Sequence, residues 1–211
     1  MAITREPLTR LRIVELALDI SDMEGLGALN MRRLAAAAGV RPMSLYHHFP
    51  NKEAILAAVA ESIAAAVLGD RRAAGPWRER TRLLFAGLYE LVQAHPRALP
   101  LITTGVLRTP SGRRWMEELM GVLLGAGFTP DAAARVYHLL GAFTVGLGYA
   151  QLLSLEVPAQ TIVGELTGHW ADYPNLLRVG LQLAIWDQPA DFATGVDVLL
   201  ERFAQELEEA G

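Results

Sequence analysis

Residues 29–59 read LNMRRLAAAAGVRPMSLYHHFPNKEAILAAV, and this stretch decides how the rest of the chain is read. Asn30 is a good N-cap for a short helix from Met31 to about Ala38, because its side chain can accept an N–H that the first turn leaves unpaired. Gly39 stops that helix. Pro42 then stands at the first position of the next helix, where its fixed φ is suitable and its missing N–H is not needed. That helix must end before Pro50, and Asn51 caps another running to about Leu68. Two short helices joined by a tight turn have the proportions of a helix-turn-helix, in which the second helix enters the major groove of DNA and the first crosses the backbone.

The residue types agree with that geometry. Leu34, Ala35 and Val40 supply apolar contact between the two helices, and Leu45 anchors the second one inward. Met43, Ser44, Tyr46, His47 and His48 are left facing outward. An ordinary solvated surface would carry Glu and Lys there. Hydroxyls, imidazoles and an apolar tip can instead meet base edges, thymine methyls and phosphates. Arg41 occupies an N-cap, where Ser, Thr or Asp would stabilise by about 1 kcal/mol. Lys52 stands in the first turn of the next helix, where a cation opposes the helix dipole by roughly 0.3–1 kcal/mol. Free N–H groups beside a cation make an anion site, so both misfits fit a phosphate partner. A solvated surface lysine is the alternative reading of Lys52, the only Lys in the chain.

Charge is distributed to match. The 211 residues carry 19 Lys and Arg against 23 Asp and Glu, a net charge of −4, which excludes a basic coat over the whole molecule. Residues 1–52 hold seven cations and five acids, whereas residues 53–211 hold twelve and eighteen. No acid lies between Glu24 and Glu53, while Arg32, Arg33, Arg41 and Lys52 all fall in that interval. The chain has no Cys, so disulfides, thiolate metal sites and a cysteine nucleophile are excluded. The N-terminus has no apolar run of the signal-peptide kind, and a cytoplasmic location is expected.

The whole pattern is helical, with nine to ten helices expected and no stretch of strand alternation. A first helix runs from about Leu8 or Thr9 to Glu24, with Leu11, Val14 and Leu18 on its apolar period and Gly25 closing it. Gly69 to Pro76 reads as a linker turn. Pro76 opens a helix that ends before Pro96, and a short helix follows from Arg97 to about Thr103. Thr109-Pro110 and Thr129-Pro130 are cap-then-proline starts, for helices to about Leu124 and Leu155. Pro158 to Leu183 is expected as two shorter pieces. Pro189 opens a last helix with a stripe of Phe192, Val196, Leu199, Phe203 and Leu207. Val136 to Leu155 lacks Asp, Glu, Lys and Arg over twenty residues, long enough to span a bilayer. It lacks aromatic belts and a basic flank, so a helix buried on all sides of a bundle is expected instead. Ala142, Gly146 and Ala150 give it a small-residue stripe that lets another helix approach.

The quoted stretch resembles the DNA-binding head of the tetracycline-repressor (TetR) family of bacterial transcription regulators, through Leu45-Tyr46, Phe49 and Lys52. The resemblance implies an N-terminal three-helix head over residues 1–52 and a helical ligand-binding and dimerisation domain over residues 53–211. It implies that Arg32 reaches a base, that Ser44 contacts the groove, and that Tyr46, His48 and Lys52 contact phosphates. Arg41, Pro42, Met43 and His47 complete the candidate DNA-binding set. The family often has a small polar residue where Arg41 stands. The C-terminal part is similar to the branch of the tetracycline repressors themselves, through GAGFTPDAAARVYHLLGAFTVGLGYA and DFATGVDVLLERF. There the helices from Pro130 and Pro189 would pair with their copies in a homodimer.

The same resemblance implies an effector pocket among helices five to eight. Candidate lining residues are Phe85, Tyr89, Leu101, Thr104, Trp115, Leu119, Tyr137, His138, Phe143, Thr144 and Leu147. Ordinary core is the plainer reading of each apolar one, and the polar Thr104, His138 and Thr144 are favoured because a ligand could satisfy a buried polar group. Tetracycline repressors hold a drug–magnesium chelate with a histidine after the sixth helix. This chain has Leu-Ile-Thr-Thr-Gly at Leu101 to Gly105, so neither tetracycline, magnesium nor any other cofactor is expected. The expected function is a ligand-responsive regulator, a repressor released from a double-stranded, palindromic operator by a small hydrophobic effector. No enzyme is expected, since there is no nucleotide-binding glycine fingerprint. The competing reading is a dimeric helical small-molecule or metal-binding protein without regulatory DNA binding. Glu165 and His169, four apart, are its weak metal candidates.

Overall fold

The computed structural model describes residues 7–68, 75–156, 173–176, 178–179 and 187–210. Most of these residues are helical, with no strand among them. The chain divides into two compact units, Met1–Gly127 and Phe128–Gly211. The first contains α1 (Arg10–Glu24), α2 (Met31–Ala37), α3 (Pro42–Tyr46), α4 (Lys52–Leu68), α5 (Trp77–Ala94), α6 (Leu99–Gly105) and α7 (Pro110–Gly125). The second contains α8 (Pro130–Glu156) and α9 (Gln188–Ala210), and residues 174–176 and 178–179 are also helical. Most of the Gly69 to Pro76 linker and of Pro158 to Leu183 lies outside the described residues, as do Glu165 and His169.

Local chemistry accounts for most helix ends. The Thr9 hydroxyl accepts from Arg12 N–H at 3.1 Å, the Asn30 side chain from Arg33 N–H at 2.9 Å, and the Asn51 side chain from Ala54 N–H at 2.8 Å. Gly25 closes α1, as expected, at φ 84° and ψ 161°, a conformation that residues with a Cβ rarely adopt. Thr109 caps α7 by accepting from Gly112 N–H at 3.0 Å, with Pro110 at the first helical position. The segment after Pro96 differs from expectation. It begins as a single 3-10 turn, Pro96–Ala98, before α6, because His95 leaves the helical region at φ −130° and Pro96 has no N–H to continue α5.

Two corrections concern helical phase. On α1 the buried apolar residues are Ile13, Val14, Leu16, Ala17 and Ile20, while Leu11 is 65% exposed. Leu11 lies in the first turn, one step off the face that meets α2 and α4. On α9 the buried stripe is Phe192, Val196, Leu200, Phe203 and Ala204, so Leu200 takes the inward place expected of Leu199.

The first unit has one more organising feature. Arg97 donates to the backbone oxygens of Asp22 at 3.1 Å and Met23 at 2.8 Å, and His95 Nδ1 lies 2.8 Å from Asp22 Oδ2. A guanidinium thus satisfies the last carbonyls of α1, where the helix dipole favours a cation. This clasp joins the end of α1 to the corner between α5 and α6.

In the second unit, Phe143 of α8 stacks on Phe192 of α9 with ring centroids 6.3 Å apart. Gly195 permits that approach, since a Cβ there would stand 2.2 Å from Phe143 Cζ. Arg135 and Glu206 form an exposed ion pair at 3.5 Å. α8 is long and apolar enough to cross a membrane by length and composition. It is not buried on all sides. Ala133, Val136, Leu140 and Thr144 form one buried stripe, while Leu139, Tyr149 and Leu153 are exposed. Ala142 and Gly146 share that exposed face, with no atom within 4 Å of a Cβ at Gly146.

Candidate nucleic-acid interface

The head is built around a compact apolar centre. Ile13, Ala17, Ile20, Leu29, Leu34, Ala35, Leu45, Phe49, Ile55 and Val59 are all buried. Leu34 and Ala35 of α2 and Leu45 of α3 hold the two short helices together. Val40, expected between them, is half-buried, and its N–H is bonded to the Ala35 oxygen at 3.0 Å. The tight turn depends on Gly39, which has φ 65°, a conformation that residues with a Cβ rarely adopt.

Leu45 and Phe49 are four residues apart and both face the core, so the intervening positions face out. Pro42, Met43, Tyr46 and His47 are exposed, Met43 at 69%, while Ser44 and His48 are half-buried. Arg41 caps α3 with backbone alone and makes no side-chain capping bond, as the sequence predicts. Its side chain is exposed, as is that of Arg32 on α2, and neither has an ion-pair partner among the described residues.

Arg33 behaves differently. Its Nε donates to Glu24 at 3.1 and 3.3 Å, and its Nη2 also bonds Glu24. The hydrogen bond to Arg33 lowers the Glu24 pKa against an opposing effect of burial, and the same bond raises that of Arg33. Among the cations of the acid-free interval, Arg33 is therefore already neutralised. Lys52 is half-buried, and its Nζ reaches the Leu26 oxygen at 3.4 Å, a long contact that holds the ammonium beside the head.

One residue absent from the sequence-based set belongs to this surface. Arg10, in the first turn of α1, donates to the backbone oxygen of His48 and places its guanidinium over the Phe49 ring, 4.0 Å from the centroid. The only sequence signal was a cation at the start of α1, which resembles any solvated arginine.

The effector candidates divide between the units. In the first, Phe85, Tyr89, Trp115 and Leu119 are buried, Leu101 is half-buried and Thr104 is exposed. Phe85 meets Trp115 edge to face at 5.4 Å, and the indole N–H donates to the Leu84 oxygen at 3.3 Å. In the second, Thr144 is buried, Tyr137, Phe143 and Leu147 are half-buried, and His138 is exposed. Burial raises the Tyr137 pKa. The two threonine hydroxyls need no ligand to satisfy them: Thr104 donates to the Pro100 oxygen at 2.7 Å and Thr144 to the Leu140 oxygen at 2.8 Å.

Comparison with known proteins gives this arrangement its family. Residues 13–59 match the model for bacterial regulatory proteins of the tetR family, and residues 71–205 match the tetracyclin repressor-like C-terminal domain. The chain belongs to the tetR family. It is 41% identical over 196 residues to the class C tetracycline repressor protein of Escherichia coli, covering 92% of this chain and 89% of that one. It is 29% identical over 177 residues to the HTH-type transcriptional repressor DrrR1 of Streptomyces coeruleorubidus, covering 82% of this chain and 64% of that protein. Among solved structures, apo ActR of Streptomyces coelicolor superimposes with a TM-score of 0.78 at 29% identity, covering 98% of this chain and 99% of that one.

Proposed function

We propose that the chain is a ligand-responsive transcriptional repressor, with residues 1–52 reading DNA and residues 53–211 binding an effector and a second copy. The observation that carries this reading is the outward face of Met43 to His48, held by the buried pair Leu45 and Phe49. In B-form DNA the major groove admits one α-helix, and such a face can meet base edges while flanking cations meet phosphates. Arg32 and Ser44 are assigned to base contact. Arg41, Pro42, Met43 and His47 line the same surface, and Tyr46, His48 and Lys52 are assigned to phosphates.

The exposed apolar face of α8, where Leu139, Tyr149 and Leu153 flank Ala142 and Gly146, supports a homodimer. A second copy would cover that face by close helix approach, and two heads would then address a palindromic operator with half-sites about 34–36 Å apart or a multiple of that. Such a regulator would act on cytoplasmic DNA.

The effector is a small hydrophobic molecule. ActR has been solved in complex with actinorhodin, and that structure resembles this chain with a TM-score of 0.79 at 28% identity, covering 97% of this chain and 99% of that one. The likeness to a tetracycline repressor does not carry the drug across, since Leu101 to Gly105 offers two hydroxyls and no imidazole for a magnesium chelate. Effector binding would act by preferring the state in which the two α3 helices miss operator spacing. Footprinting on the DNA flanking its own gene, with and without hydrophobic compounds, tests the reading. A protected palindrome that reopens with compound is expected, and no protection at any concentration would overturn it.

A further inference from the structure

The helix offered to DNA, α3, is five residues long. One hydrogen-bonded turn has almost no stability of its own, so its pose must be set by what holds its ends. At its start, Pro42 and the contact with α2 serve. At its end, Leu45 O accepts from both His48 N–H and Phe49 N–H at 2.9 Å, which closes the helix. Three residues on, the His48 carbonyl receives Arg10 from the start of α1, 38 residues away. The central carbon of the same guanidinium sits over the Phe49 ring, 4.0 Å from its centroid, while Phe49 itself is fully buried.

Building on the DNA-binding reading above, we propose that Arg10 is a positioning residue for sequence recognition: by stacking on Phe49 and bonding the His48 carbonyl it fixes the angle at which α3 is presented. The planar, forked guanidinium makes both contacts at once, and a lysine ammonium cannot reproduce that combination. Tyr46, His47 and His48 immediately precede the pinned turn, and Lys52 follows it. Base-edge contacts depend on side-chain placement, whereas attraction to phosphates survives small rotations. Loss of the pin therefore removes discrimination between sequences while leaving the electrostatic part of binding intact.

The test uses the intact protein and a duplex that it selects from a random pool. Dissociation constants for that duplex and a scrambled one are measured against salt for wild type, Arg10→Lys and Arg10→Ala. The preference for the selected duplex is expected to fall at least fivefold in both variants, with the salt slope of Arg10→Lys unchanged. If Arg10→Lys matches wild type and Arg10→Ala loses about one unit of slope, Arg10 is a phosphate contact and the proposal fails. Equal weakening on both duplexes also overturns it. Thermal melts check folding, and Arg10→Lys alone decides the matter if Arg10→Ala does not fold. A wild type that enriches no duplex would overturn the DNA-binding reading itself.

Discussion

The Glu61 carboxylate of α4 is seated on Ser111 in the first turn of α7, accepting from its N–H at 3.0 Å and its hydroxyl at 2.7 Å. A carboxylate is well placed at that end, because the first N–H groups of a helix are unpaired and the macrodipole favours an anion. Burial works to raise the Glu61 pKa, but the Ser111 hydroxyl and N–H, the Thr109 hydroxyl and the nearby Arg114 outweigh it and lower the net value. The helix that follows the DNA-binding head is thereby joined to the body by one ionised group.

This joint sets a pH dependence. A carboxyl whose folded pKa is depressed contributes stability that is fully present above its unfolded value and is lost as pH falls through the folded one. Glu61→Gln is therefore expected to melt below wild type at pH 7, with the gap closing as pH drops beneath the ordinary carboxylate value of 4.5. Melts from pH 7 to pH 3 check this. A constant gap across that range would show that the charge contributes nothing.

Gly112 makes the same turn of α7 unusually intolerant. A Cβ there would stand 1.9 Å from Val106 O and 2.6 Å from Val106 C, and backbone cannot step aside as a flexible side chain can. Gly112→Ala should cost about 1–3 kcal/mol or more by overpacking. Gly121, on the exposed side of the same helix, meets nothing within 4 Å. Gly121→Ala should stabilise by roughly 0.5–1 kcal/mol, the usual gain of alanine over glycine inside a helix. Chemical denaturation of the two variants gives opposite signs if the packing is as described.

Lys52 and Ser44 separate attraction from reading. Lys52→Ala should weaken binding to every duplex and reduce the salt slope by about one unit. Ser44→Ala should alter base preference more than overall affinity. Titrations on a set of single-base operator variants distinguish the two, and an unchanged slope for Lys52→Ala would mean that its ammonium stays with Leu26 O when DNA is bound.

What could be read from the sequence was what neighbouring residues decide. Asn30, Asn51 and Thr109 cap the helices they precede, and Pro42 and Pro110 open them, because a cap needs only a side chain and the next turn. The outward set on α3 followed from one inward anchor, Leu45, which is buried. What could not be read depends on partners far along the chain. Arg10 finds His48 across 38 residues, Ser111 finds Glu61 across 50, and His95 finds Asp22 across 73. Single-residue errors of phase, as at Leu11 and Leu199, arise because apolar residues flank the true face on both sides. Burial of α8 on all sides was expected from its charge-free middle, whereas Ala142 and Gly146 of its small-residue stripe lie on the side left exposed.

That side of α8 gives the last prediction. Gly146 has open space around its Cβ position and neighbours exposed Leu139, Ala142, Tyr149 and Leu153. A bulky side chain there meets nothing in the isolated chain, so Gly146→Ile should fold with a melting temperature close to that of the monomer. If another copy of α8 or α9 packs on this face, the added side chain keeps the backbones apart and weakens association, as small-residue helix contacts require. Sedimentation equilibrium should then show a rise in the dimer dissociation constant of at least tenfold. Operator affinity should fall with it, because a single head holds only one half-site. A Gly146→Ile protein that remains dimeric at wild-type concentrations would move the interface elsewhere and leave the exposed leucines of α8 without a role.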